Sequence, residues 1–207
     1  MARRILSAIL LVCVGVLAPC VPISIVAGGD TVPFEPEFSG TLITRVNGKQ
    51  SLAHVYAKGA RMRLEYRDPI RTELGFAAIA IVRPDLVEIW YVLPKQKQLL
   101  VLPITDDTLP IHPELVGETG RTPVGDAMAA GRAARLFDIQ TDRHGQLERF
   151  YQWIDAETGI VLKLVSQDRD WSLEYERIRM SPQPSVYFEE PRGYTKRRSE
   201  TSRQRGE

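Results

Sequence analysis

Phe38-Ser39-Gly40-Thr41-Leu42-Ile43-Thr44-Arg45-Val46-Asn47-Gly48-Lys49 is the stretch that decides the fold. Its pattern has a period of two as far as Val46, and it then meets Asn-Gly, whose residues both tolerate positive φ. That pair is the strongest short signal for a two-residue hairpin. Leu52 to Ala57 is the predicted returning strand, and Lys58-Gly59-Ala60 turns the chain into Arg61 to Tyr66. There Met62, Leu64 and Tyr66 share one face, while Arg61, Arg63 and Glu65 share the other. Alternation of this kind predicts an antiparallel sheet with one wet face.

The same rhythm continues on both sides of one interruption. Ala77 to Val82, Leu86 to Leu93 and Gln98 to Leu102 are strand-like and are joined by turns at Arg83-Pro84-Asp85 and Pro94-Lys95-Gln96-Lys97. Residues 103 to 123 contain Pro103, Pro110, Pro113 and Pro123 and predict a long loop, read as a mobile cover of a cavity mouth. Val124 to Arg135 holds good helix formers between Gly125 and Gly131, so a short helix competes there with a strand and turn. Further strands are expected over Ala133 to Thr141, Leu147 to Ile154, Ile160 to Gln167 and Trp171 to Met180. So many antiparallel strands with almost no helix require a barrel or a strongly curved sheet, because a flat one leaves edges and an uncovered apolar face.

The N-terminus carries a different message. Arg3-Arg4 precedes an apolar run from Ile5 to Ala18, the layout of a signal peptide, with small residues at Ala27 and Gly28 for cleavage. An uncleaved anchor is the alternative, although Pro19 and Pro22 interrupt a spanning helix. Leu17-Ala18-Pro19-Cys20 resembles a lipobox, which makes Cys20 a candidate for lipidation. The expected organisation is a signal peptide over 1–27, a linker over 28–37, a β-domain over 38–194 and a basic disordered tail over 195–207. With only Cys13 and Cys20 in the chain, the exported domain is expected to hold no disulfide and no thiolate metal site.

Charge and motifs limit the function classes. The chain has 27 basic and 26 acidic residues, and losing Arg3 and Arg4 with the signal turns the balance slightly negative. That is no nucleic-acid footprint. Gly-x-Ser-x-Gly, His-Glu-x-x-His and a glycine-rich phosphate loop are all missing. His54 falls mid-strand, His112 between prolines and His144 in a turn, so no metal site is expected. The acids of Glu174/Glu176 and Glu189-Glu190 read as solvated faces. The expectation is a non-enzymatic protein without a cofactor.

Several segments together resemble the LolA/LolB-like lipoprotein-carrier superfamily. They are Phe38 to Lys49, Lys58 to Glu65, Ile81-Val82-Arg83-Pro84-Asp85 to Trp90 with Leu93-Pro94, Val124-Gly125-Asp126, Trp153 to Leu164, and Val186-Tyr187-Phe188-Glu189-Glu190-Pro191-Arg192-Gly193-Tyr194. The resemblance implies an all-β fold, an unclosed half-barrel of about eleven antiparallel strands. It also implies an apolar concavity for the acyl chains of lipids or lipoproteins in the periplasm. The space between Gly28 and Glu37 leaves no room for the carriers' long N-terminal helix, and Arg61 is the nearest match to the arginine that holds their lid. Envelope-stress regulators of the MucB/RseB type share the fold and a similar Phe-Ser-Gly-Thr opening. They supply the alternative reading, with an inner-membrane protein complex as partner. A monomer is expected, and an uncharacterised hydrolase is the remaining alternative.

Parity then nominates the cavity lining. Alternate residues of a curved single-layer sheet point to its concave side. The more apolar parity of each strand selects Leu42, Tyr56, Met62, Leu64, Trp90, Phe150 and Trp171 as lipid-binding residues. A core filled by its own side chains is the competing expectation.

Overall fold

The computed structural model describes residues 36–104, 113–143, 145–167 and 170–199. The expected signal peptide with Cys20, nearly all of the expected linker, His112, His144 and the end of the tail lie outside them. The strands are β1 (Glu37–Val46), β2 (Lys49–Lys58), β3 (Arg61–Thr72), β4 (Gly75–Arg83), β5 (Glu88–Leu93), β6 (Gln98–Pro103), β7 (Glu118–Ala129), β8 (Arg132–Arg143), β9 (Gln146–Asp155), β10 (Val161–Ser166), β11 (Trp171–Met180) and β12 (Thr195–Arg198). Among the described residues, helix is limited to two 3-10 turns, Pro84–Leu86 and Ser185–Phe188.

All twelve strands form one sheet in the order β12-β6-β5-β4-β3-β2-β1-β11-β10-β9-β8-β7. Two meanders, β1 to β6 and β7 to β11, are sewn together where β1 pairs with β11. β1 to β11 run antiparallel to their neighbours, and β12 alone adds in parallel, onto β6. β7 and β12 end the order and do not pair with each other, so the sheet is an unclosed half-barrel.

The local chemistry behaves as the residues dictate. Asn47 and Gly48 have φ of 49° and 71°, the two positive values that a tight hairpin turn demands. Gly40 is required for a different reason: a Cβ there would lie 2.3 Å from the Arg177 carbonyl oxygen on β11. The ladder shifts register beside it, between Thr41 and Leu42, which is a bulge that bends the junction of the two meanders. Gly40→Ala is expected to cost about 1–3 kcal/mol, because backbone rather than a flexible side chain must move. Chemical denaturation measures it.

Two expectations need correction, and one open choice, that over Val124 to Arg135, falls to the strand and turn. Residues 103 to 123 are not one loop, since Pro103 closes β6 and Glu118 to Pro123 belong to β7, while 105–112 lie outside the described residues. Pro123 is accommodated because β7 is an edge strand with a register shift between Pro123 and Gly125. The ladder-bonded half therefore cannot act as a mobile cover. Val124 to Arg135 contains no helix; Ala130 and Gly131, with φ of 52° and 71°, turn β7 into β8. The basic tail is ordered over Thr195–Arg198, where the open edge of β6 supplies backbone partners that compensate for four exposed, mostly charged side chains.

The sheet has two differently furnished faces. On the concave face, Phe38, Leu42, Val55, Met62, Leu64, Ile139, Phe150, Leu164 and Leu173 belong to one buried cluster that runs from strand to strand. The other face is buried over β4 to β6, where the chain after β11 returns across it. There Ile81, Trp90, Val92, Leu99 and Val101 form a second cluster with Tyr194. Phe188 is fully buried, and Arg63 and Arg83 donate to the carbonyls of Tyr187 and Phe188.

Candidate ligand-binding face

Pairing registers show which side chains share the concave side. Leu42 is on the face of Phe38, and Met62 and Leu64 are on that of Val55 and Ala57, their neighbours across β2 and β3. At the other end of the sheet, Phe150 is opposite Ile139 on β8 and meets the Trp171 ring edge-on at a centroid distance of 6.4 Å. Leu42, Met62, Leu64 and Phe150 are thus brought together in one buried apolar cluster, with Trp171 packed against it. Trp171 is only partly buried, and so are Tyr66, Ile89, Tyr91 and Phe137, which pack against the same cluster. Burial raises the Tyr66 phenol well above its ordinary range and the Tyr91 phenol in the same direction, so both are neutral groups beside this cluster.

Tyr56 and Trp90 are not part of it. Tyr56 alternates with the inward Val55 and Ala57, so it points outward, between His54 and Tyr187 at ring distances of 4.7 and 4.9 Å. Trp90 is opposite Ile81 in the outer cluster. Its Nε1 donates to Glu88 at 2.8 Å, and Arg83 and Lys196 stand over its ring at 4.9 and 4.3 Å. The inward residue of β5 is its neighbour Tyr91. Both parities of this strand are apolar because both of its faces are covered, so alternation could not distinguish them. Arg61 also faces outward, where it pairs with Asp85 at 3.3 Å, and it cannot hold anything on the concave side.

The apolar surface carries polar side chains at its β7–β9 end. Gln152 is fully buried, opposite Phe137 and Leu164. Arg121 on β7 reaches over the Phe137 ring, at 5.1 Å, and donates from Nη1 to Gln152 Oε1 at 3.0 Å. Glu118 accepts two hydrogen bonds of 2.7 Å from the same guanidinium, and the Pro113 carbonyl accepts a third of 2.7 Å. The Arg121 hydrogen bond foremost, against the opposing push of burial, holds the Glu118 carboxyl below the usual carboxylate range. A polar residue at an inward position of β9, between Phe150 and Ile154, was the available signal for Gln152.

Among the described residues no three His, Cys, Asp or Glu side chains gather to hold a metal ion. His54 is exposed, and Glu174 serves as the ion-pair partner of Arg45 and Lys163 at 3.7 and 3.1 Å.

An open antiparallel half-barrel with one continuous apolar face defines the class of fold. No family model and no curated protein sequence matches the chain. Among solved structures, MucB superposes over 78% of this chain and 59% of its own, at 15% identity and a TM-score of 0.50. The MucA/MucB complex of Pseudomonas aeruginosa matches over 76% of this chain and 56% of that one, at 17% identity and a TM-score of 0.49. An outer membrane lipoprotein-sorting protein domain from Vibrio parahaemolyticus matches over 73% and 89%, at 9% identity and a TM-score of 0.37. The chain therefore spans less than two thirds of the MucB chain whose fold it shares.

Proposed function

We propose that this protein is an exported carrier that holds acyl chains of a lipid or lipoprotein against its concave face, and that it binds without catalysing a reaction. One observation carries the reading: on a sheet that does not close, a continuous cluster of buried apolar side chains runs from Met62 and Leu64 through Leu42 to Phe150, and partly exposed Tyr66, Tyr91 and Trp171 pack against it. Each methylene buried there gains about 0.8 kcal/mol, so a long chain needs few polar contacts to be retained. The LolA/LolB-like fold and the signal-like N-terminus support the same assignment. Mass spectrometry of lipids extracted from the natively purified protein, with titration by a fluorescent fatty acid, is the test. Co-purified acyl lipid and saturable uptake are expected. Absence of both overturns the proposal and favours a core filled by its own side chains.

A second reading, a MucB-like envelope regulator that grips a partner chain, is favoured by β7. Among the described residues its outer edge pairs with no strand over twelve residues, and such an edge is able to accept an extended segment. Specific capture of an inner-membrane protein without lipid uptake would support this reading over the carrier.

A further inference from the structure

We infer that the Gln152 carboxamide is a polar subsite on the concave face that donates a hydrogen bond to a neutral carbonyl oxygen of the ligand, the ester or amide that joins an acyl chain to its headgroup. This rests on the carrier reading and specifies the ligand chemistry.

Gln152 is completely buried, yet its Nε2 has no hydrogen-bond partner. The amide cannot be turned to relieve this. Arg121 Nη1 donates to Oε1 at 3.0 Å, and a flipped amide would set donor against donor. Arg121 is itself immobilised by Glu118, by the Pro113 carbonyl and by its position over the Phe137 ring. The amide hydrogens are thus held in an apolar setting with Phe137 and Leu164 on either side. A buried donor without an acceptor is costly, and a ligand that brings an acceptor removes that cost.

Charge selects the kind of acceptor. Glu118 neutralises the Arg121 guanidinium through two hydrogen bonds, and Glu148 is buried on the same face, four residues along β9. The guanidinium that touches Gln152 is thus already paired and offers a phosphate or carboxylate no free cation, whereas a carbonyl needs none. Thr141 Oγ1 is also buried without a partner, but it is opposite Glu148, roughly 13 Å along the strand, too far to share one acceptor. The geometry therefore reads one carbonyl at Gln152, with the chain running over the apolar surface.

The test compares methyl palmitate, labelled with carbon-13 at the carbonyl, with octadecane, each displacing a neutral apolar fluorophore from the full-length protein. In the wild type, the labelled carbonyl band is expected to move to lower wavenumber than in hydrocarbon solvent. Gln152→Met should abolish that shift and weaken methyl palmitate about five- to tenfold, the worth of one hydrogen bond, while octadecane stays within about twofold. Gln152→Leu is the second variant, and cooperative unfolding of each checks its integrity. An unshifted carbonyl in the wild type, or equal changes for ester and alkane in the variants, overturns the subsite while leaving the carrier reading intact. Binding of neither ligand by the wild type would instead remove the carrier reading itself.

Discussion

Trp90→Ala is expected to cost about 3–5 kcal/mol of stability and to leave acyl-chain uptake unchanged. Trp90 is 2% exposed at the centre of the outer cluster, among Ile81, Val92, Leu99 and Val101. Truncation opens a cavity, frees the Glu88 carboxylate from its 2.8 Å hydrogen bond and removes the ring beneath Arg83 and Lys196. The consequence extends to β12, because Lys196 is part of that strand, which among the described residues pairs with β6 alone. Denaturant unfolding should report a lower midpoint, and hydrogen exchange should accelerate in β12 before it does in β2. A variant that keeps its stability and loses uptake would place Trp90 on the ligand side and invalidate the assignment of faces.

Asp155→Ala is expected to cost about 3–5 kcal/mol as well, because it strands a cluster of donors. Asp155 ends β9 with its side chain 1% exposed. Oδ1 accepts from the Glu157 and Thr158 backbone amides at 3.1 and 2.7 Å and from the Thr158 hydroxyl at 2.8 Å; Arg132 pairs with the carboxylate. These bonds build the turn that leads toward β10. Burial pushes the Asp155 carboxyl up, but the Arg132 and Thr158 hydrogen bonds outweigh it and hold the group at about 2, against 3.8 when unperturbed.

A depressed folded-state value means that the unfolded chain takes up the proton first as pH falls. Stability from Asp155 is therefore complete above about pH 4 to 5 and is lost as pH drops through about 2, a change of about 2 kcal/mol. Asp155→Asn should flatten this limb of the stability profile. An unchanged acid limb in that variant would show that other carboxylates govern it.

The hairpin at Asn47-Gly48, the alternation of β3 and the inward parity of Leu42, Met62, Leu64 and Phe150 were all legible. In each case one face of the strand is apolar and the other polar, so a period of two specifies which side is buried. Turn chemistry and alternation are local, and local chemistry determined that the chain forms an antiparallel sheet with one apolar face, curved for lack of any other cover. What they could not resolve was decided by segments remote in sequence. Both faces of β5 are apolar because residues after β11 return over its outer side, and that return reversed the roles of Trp90 and Tyr91. Thr195–Arg198 is a strand only because β6 ends the sheet with unpaired backbone groups. Glu118 to Pro123 is a strand because β8 pairs with it, despite a proline that argued for a loop. The Gln152 amide is buried on β9, but its orientation and its unpaired donor depend on Arg121 reaching across β8. A side-chain pattern records the faces a strand presents; what covers each face, and which buried polar atom is left without a partner, exists only once distant strands have met.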